Sequence, residues 1–105
     1  MAGRTDGVEP DEIELGAVLS ALADPHRRRV IHDLVNDADG SERSCTSFGL
    51  DLSKSTRSHH FKVLREAGLV HQVDRGNRSE VTLRRRDLDA RFPGLLDLIG
   101  SDSGD

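Results

Sequence analysis

Apolar residues recur at three- and four-residue intervals at both ends of this chain and alternate with polar ones in between. In residues 11–23 (DEIELGAVLSALA), Leu15, Val18, Leu19 and Leu22 stand at i, i+3, i+4 and i+7, which predicts an amphipathic helix with acids in its first turn. Asp24-Pro25 restarts the chain, Asp24 as N-cap and Pro25 at the first helical position, where a missing N–H costs nothing. The second helix carries the stripe Val30, Ile31, Leu34, Val35 and Ala38 and is expected to end at Gly40. Residues 41–52 (SERSCTSFGLDL) are weakly periodic and predict at most a short helix or turn.

Ser53 is an N-cap for a helix over 54–67, with Gly68 as its stop. At 100° per residue, Thr56, His60, Val63, Leu64 and Ala67 share one narrow arc with Phe61 at its edge. The opposite arc collects Lys54, Ser55, Ser58, His59, Lys62, Arg65 and Glu66. Residues 69–75 (LVHQVDR) and 79–85 (SEVTLRR) alternate and are β-branched, and Gly76-Asn77-Arg78 joins them, so a hairpin with arginines at its tip is expected. Asp87 then caps a final stretch with the stripe Leu88, Phe92, Leu95, Leu96 and Ile99, which Pro93-Gly94 divides into two short helices or kinks.

Length bounds this pattern to one modest core, because 105 residues cannot bury two. We read one domain over 11–99, with polar, flexible tails at 1–10, which is acidic, and at 100–105. With three Phe and no Trp or Tyr the core must be Leu, Val, Ile and Ala, and so lean a chain invites a second copy to complete it. No apolar run is long enough to span a bilayer and the start lacks a signal-peptide pattern, so the expectation is a cytoplasmic protein with no membrane partner. The lone Cys45 excludes an internal disulfide; it is either structural or a redox-active thiol whose pKa Arg43 lowers.

Charge changes the picture more than composition does. The net charge of −4 hides a segregation: residues 52–86 carry nine basic groups against three acidic, whereas 1–24 total −5 and 87–105 total −4. A polyanion responds to the local patch rather than to the sum. A basic helix fits the major groove of DNA, and an Arg-tipped hairpin reaches the narrower groove beside it. The expected fold is therefore mainly α with a β-hairpin wing, a winged helix-turn-helix. The DNA-binding candidates are Lys54, Ser55, Arg57, Ser58, His59 and Lys62 on the helix, with Arg75 and Arg78 on the wing. Arg27 falls on the apolar side of its helix and is expected to pack or pair internally, while Arg28 and Arg29 face solvent or a nucleic-acid backbone.

The adjacent histidines point in different directions: His60 into the fold, hydrogen-bonded there, and His59 out beside Ser58 and Lys62. Neighbours 100° apart do not converge on one ion, and neither has another histidine at i+3 or i+4. No Ser/His/Asp order, phosphate loop or convergent carboxylate pair stands out, so an enzyme is not expected.

The segments ALADPHRRRVIHDL (21–34) and LSKSTRSHHFKVLREAGLV (52–70) resemble the two signatures of the ArsR-type (ArsR/SmtB) family of bacterial winged-helix repressors, and the likeness spans about residues 13–99. It implies a homodimer pairing its first and last helices, here Leu15, Val18, Leu19 and Leu22 with Phe92, Leu95, Leu96 and Ile99, and double-stranded DNA with an inverted-repeat operator as partner. Family members that sense metals use paired cysteines ahead of the recognition helix, or His and acidic residues on the last helix. This chain has one cysteine and no histidine after His71, so no metal site and no cofactor are expected, and any inducer is unidentified. Two departures stand out: the helix that should precede the recognition helix is poorly formed in SCTSFGLDL (44–52), and Arg57 occupies a position that is apolar in many relatives. The rival reading is a winged-helix protein-interaction module whose basic face takes an acidic partner.

Overall fold

The computed structural model describes residues 8–102, and the termini assigned to the tails at 1–7 and 103–105 lie outside them. Five helices and three strands follow one another: α1 (Leu15–Ala23), α2 (Pro25–Asn36), β1 (Glu42–Ser44), α3 (Lys54–Glu66), β2 (Val70–Asp74), β3 (Ser79–Leu83), α4 (Arg85–Arg91) and α5 (Leu95–Ser101). The strands form an antiparallel sheet in the order β1-β3-β2, with Gln72 opposite Val81 across the hairpin and Arg43 opposite Val81 on the other side. Helices α2 and α3 lead into the hairpin, which is the arrangement of a winged helix-turn-helix.

Every helix stripe meets in one core. Val18, Ala21 and Leu22 of α1, Val30, Ile31 and Leu34 of α2, and Phe61 and Leu64 of α3 close on Val70 and Val81 of the sheet. Leu88 of α4 and Leu96 and Ile99 of α5 complete it, with α5 laid along α2. Val18, Leu22, Leu96 and Ile99, which the resemblance assigns to a dimer interface, are buried in the chain's own core. The helical stripe bends toward the nearest apolar partner, and that partner lies within the same chain. Leu15 and Leu19 stay about half exposed, Phe92 and Leu95 are half-buried, and Leu98, absent from the expected set, is 70% exposed.

Several boundaries differ from the expectation. The first helix begins at Leu15 rather than 11, because Glu9 and Glu12 close a capping box around Pro10 and make a separate 3-10 turn, Pro10–Glu12. Ile13 is then extended and fully buried, and Val8 packs on the core. Helix α2 stops at Asn36, well before Gly40; the Arg85 guanidinium takes the carbonyls of Leu34 (3.4 Å) and Val35 (3.0 Å), and the Asn36 amide reaches back to the His32 carbonyl (3.0 Å). Residues 42–44 form a strand instead of a helix or turn, since β3 offers a free edge that no local pattern announces. Asp87 does not cap α4: Arg84 holds the cap position and Asp87 pairs with its Nε at 3.1 Å. Pro93-Gly94 yields two helices, Gly94 taking φ +91°, and α5 runs on through Gly100 and Ser101, which therefore lie in a helix rather than a tail.

Arginines tie these elements through backbone carbonyls. Arg28 Nη1 donates to Leu22 O (2.8 Å) at the end of α1, Arg84 Nη1 to Val8 O (2.8 Å), and Arg91 Nη2 to Ile13 O. The Arg84 side chain is 2% exposed, so this member of the basic segment is a structural cation.

Gly68 ends α3 at φ +89°, and a Cβ there would lie 2.7 Å from Ile13 Cγ1. Gly68→Ala should lower the urea-unfolding free energy by about 2–4 kcal/mol, the sum of a left-handed penalty and overpacking. Gly16→Ala, within α1 and with nothing inside 4 Å of the new methyl, should raise it by up to ~1 kcal/mol.

Candidate nucleic-acid interface

Helix α3 is set by its first turn and its buried edge. Ser53 Oγ accepts from Thr56 N (3.1 Å) and donates to the Thr56 hydroxyl (2.9 Å), which draws Thr56 to the surface although it shares the apolar arc. His60, Phe61 and Leu64 are buried, which leaves Lys54, Ser55, Ser58, His59 and Lys62 exposed on the opposite side. Arg57 is half-buried with Nη1 at 3.5 Å from Leu52 O, so its stem packs while its charge stays near the surface.

His60 is locked to the preceding helices. Arg27 Nη1 donates to His60 Nδ1 (3.1 Å), while Arg27 Nε donates to Ala21 O (2.7 Å). The bond from a permanent cation assigns Nδ1 as the acceptor and the ring as neutral. The His26 and His59 rings stand 5.7 and 6.2 Å from His60. Burial lowers the His60 pKa below its ordinary value, Asp24 opposes that, and Arg27, His26 and His59 add to it. For Asp24, burial alone would raise the carboxyl, but the N–H groups of Arg27 and His26 donate to it at the head of α2, and it titrates below the usual range.

The wing carries its arginines on one acid. Glu80 of β3 accepts from Arg75 Nε (3.1 Å) and Arg78 Nε (2.9 Å), and Arg75 Nη2 also reaches Glu42 of β1 (3.4 Å). These bonds hold the Glu80 carboxyl below the usual range. The Arg75 N–H donates to the Arg78 carbonyl (2.7 Å) and closes the turn, and Asp74 accepts from Gly76 N (2.9 Å).

Between α3 and the wing runs an open groove of about 550 Å³. It brings together Lys54, Arg57, Ser58 and Lys62 from the helix with Arg78 from the wing tip. It also gathers Arg65, Gln72, Asn77 and the β1 turn Ser44–Thr46, which the sequence reading did not assign to the site. Arg65 and Asn77 were legible as exposed helix and turn residues, whereas nothing local marked the β1 turn. Five cations against the single acid Asp74 line this groove. Ser55 and His59 are exposed on α3 but outside it, and Arg75 leans toward the sheet's acids rather than lining it.

Cys45 lies on the groove wall. Burial pushes the thiol up to about 11 against the pull of Arg57, so little thiolate exists at neutral pH. Arg43, the expected activator, stacks over the Phe48 ring at 4.1 Å and pairs with Asp37 at 3.4 Å. Among the described residues no group of three or more His, Cys, Asp or Glu is placed to hold a metal ion, and no helix is long and apolar enough to cross a membrane.

A recognition helix, a wing and a cationic groove between them define a DNA-reading winged helix, and comparison with known proteins agrees. Residues 22–73 match a helix-turn-helix domain family. The chain is 34% identical over 84 residues to YceK, an uncharacterized HTH-type transcriptional regulator of Bacillus subtilis (strain 168), covering 78% of this chain and 82% of that protein. Among solved structures, an ArsR-family transcriptional regulator aligns with a TM-score of 0.64 at 20% identity, covering 80% of this chain and 90% of that one. An ArsR-like transcriptional regulator from Rhodococcus sp. RHA1 aligns with a TM-score of 0.53 at 27% identity, covering 82% and 78%. The chain belongs to the ArsR-type helix-turn-helix family and is a DNA-binding transcriptional regulator. The interaction-module reading gives way to this one.

Because His60 prefers to be neutral in the folded chain, the unfolded state binds more protons in the window from its depressed folded pKa up to about 6.5. Stability is full above that window and falls as pH drops through it. Urea midpoints measured from pH 7 to 5 should decline more steeply for the wild type than for His60→Gln, which removes the titrating ring.

Proposed function

We propose that the chain works as a cytoplasmic homodimeric repressor on an inverted-repeat operator. Helix α3 enters the major groove, and the sugar-phosphate strand beside it seats between α3 and the wing. The observation that carries this reading is the groove itself, where five cations from two elements face a channel with one acid. A nucleic-acid backbone is the partner whose charge repeats along such a channel. Lys54 and Lys62 neutralise phosphates or reach base edges, Ser55, Ser58 and His59 read bases, Arg57 supports the strand from the floor, and Arg75 and Arg78 serve the wing contacts. Apolar residues left exposed on the terminal helices, Leu15 and Leu19 on α1 and Leu98 on α5, support a second copy as the partner, with half-buried Phe92 and Leu95 at its margin. Repression follows from occupying the promoter, and the usual thiolate or histidine metal sites of the family take no part. The chain carries no cofactor and catalyses no reaction.

Fluorescence anisotropy against the DNA upstream of the gene and a scrambled duplex, over a salt series, tests this. Arg75→Ala with Arg78→Ala should weaken binding to both duplexes and reduce the magnitude of the log–log salt slope by about 2, one unit per lost phosphate contact. Ser58→Ala or His59→Ala should instead narrow the preference between the duplexes, by about 1–3 kcal/mol for a base contact. Binding that ignores both salt and sequence would overturn the assignment.

Leu19→Glu combined with Leu98→Glu should convert the dimer to a folded monomer in analytical ultracentrifugation. The same variant should lose preference for the native fragment, since one half-site is then read alone.

A further inference from the structure

We propose that Glu80, an acid in the middle of the DNA-binding wing, strengthens DNA binding by positioning Arg75 and Arg78. The inference rests on the wing contacts proposed above. A carboxylate beside a polyanion site ordinarily weakens binding, so its placement needs a reason. Glu80 sits on β3, the central strand of the sheet, and its side chain is only 15% exposed, against 44% for the Arg75 side chain and 52% for that of Arg78. Each of its two oxygens is bonded to a cation, so the acid's charge is offset where it stands.

The bonds themselves leave the phosphate-binding ends available. Arg78 is held through Nε alone (2.9 Å), and among the described residues its two terminal nitrogens make no bond. Arg75 is held through Nε (3.1 Å) and one terminal nitrogen, which Glu42 takes at 3.4 Å. One terminal nitrogen of Arg75 and the fork edge of Arg78 remain to donate outward. Long arginine side chains on a hairpin tip otherwise lose rotamer freedom on binding, and a shared carboxylate removes that loss beforehand. Both guanidiniums bond to a single carboxylate, one to each oxygen, so Glu80 also fixes their spacing. Glu80 touches no DNA in this scheme; it acts through the arginines.

The test is a double-mutant cycle by anisotropy on a mixed-sequence duplex, with wild type, Glu80→Ala, the Arg75→Ala/Arg78→Ala pair, and the triple variant. Simple charge removal predicts that Glu80→Ala tightens binding equally in both backgrounds. Positioning predicts that Glu80→Ala weakens binding in the arginine background, roughly three- to tenfold, the scale of leaving long side chains unordered. It further predicts no weakening, or slight tightening, once the arginines are gone. Glu80→Gln, which keeps one acceptor oxygen, should fall between wild type and Glu80→Ala, and it reads the same cycle if Glu80→Ala fails to fold by circular dichroism. Tightening in both backgrounds overturns the positioning role while leaving the wing contacts intact. Unchanged affinity and salt slope in the Arg75→Ala/Arg78→Ala pair overturns the wing contacts and the positioning role with them.

Discussion

The rest of the molecule depends on how α3 is seated. Phe61 and Leu64 sink into the shared core and His60 is caught by Arg27, a residue that also holds the end of α1 through the Ala21 carbonyl. A helix has one free rotation about its axis, and three anchors along one edge remove it. Which side chains face a partner is therefore decided by what the helix buries. Lys54, Ser58 and Lys62 reach the groove because His60 and Leu64 are turned into the fold, while Phe61 spans the core and the groove wall.

Arginine does two kinds of work in this chain, and what each side chain faces separates them. Arg27, Arg28 and Arg85 hold backbone carbonyls at helix ends, where C=O groups lack partners, and Arg84 and Arg91 hold those of Val8 and Ile13 on either side of the 3-10 turn. A core of aliphatic residues with few aromatics gains order from such ties, because each planar fork joins two segments that packing alone holds loosely. Arg57, Arg65 and Arg78 turn instead to the groove. The basic run at 84–86 looked like part of the DNA-facing charge, yet Arg84 is consumed by Val8 and Asp87, and Arg85 by the end of α2 and Asp39.

The site also explains how a protein of net charge −4 serves a polyanion. Acids accumulate on the 3-10 turn and around α1, and the groove keeps only Asp74, whose carboxylate is occupied by the Gly76 N–H. Screening limits exposed charges to about a Debye length, so acid on the far elements does little to the field in the groove. The wing acids Glu42 and Glu80 are the exception in place, and both are paired with arginines, Glu80 with Arg75 and Arg78 and Glu42 with Arg75.

Periodicity and capping chemistry by themselves determined the helices at α1, α2 and α3, the Asp24 and Ser53 caps, the hairpin with its glycine turn, and the exposed face of α3. Each of these follows from interactions within a few residues, so the local pattern contains the cause. Strand β1 was illegible because its bonding partner, β3, lies more than thirty residues away and three residues of ERS carry no period. The ends of α2 and α4 were misplaced for the same reason: Arg85 and Arg84 supply the terminating contacts from a distance or in place of a standard cap. Of the candidate site, the helix residues and Arg78 were readable as exposed cations, while their meeting with Arg65, Asn77 and the β1 turn was decided only by the packing of wing against helix. Tertiary structure likewise decided that Val18, Leu22, Leu96 and Ile99 complete the chain's own core, because an apolar stripe records that a side chain is buried and not which surface buries it.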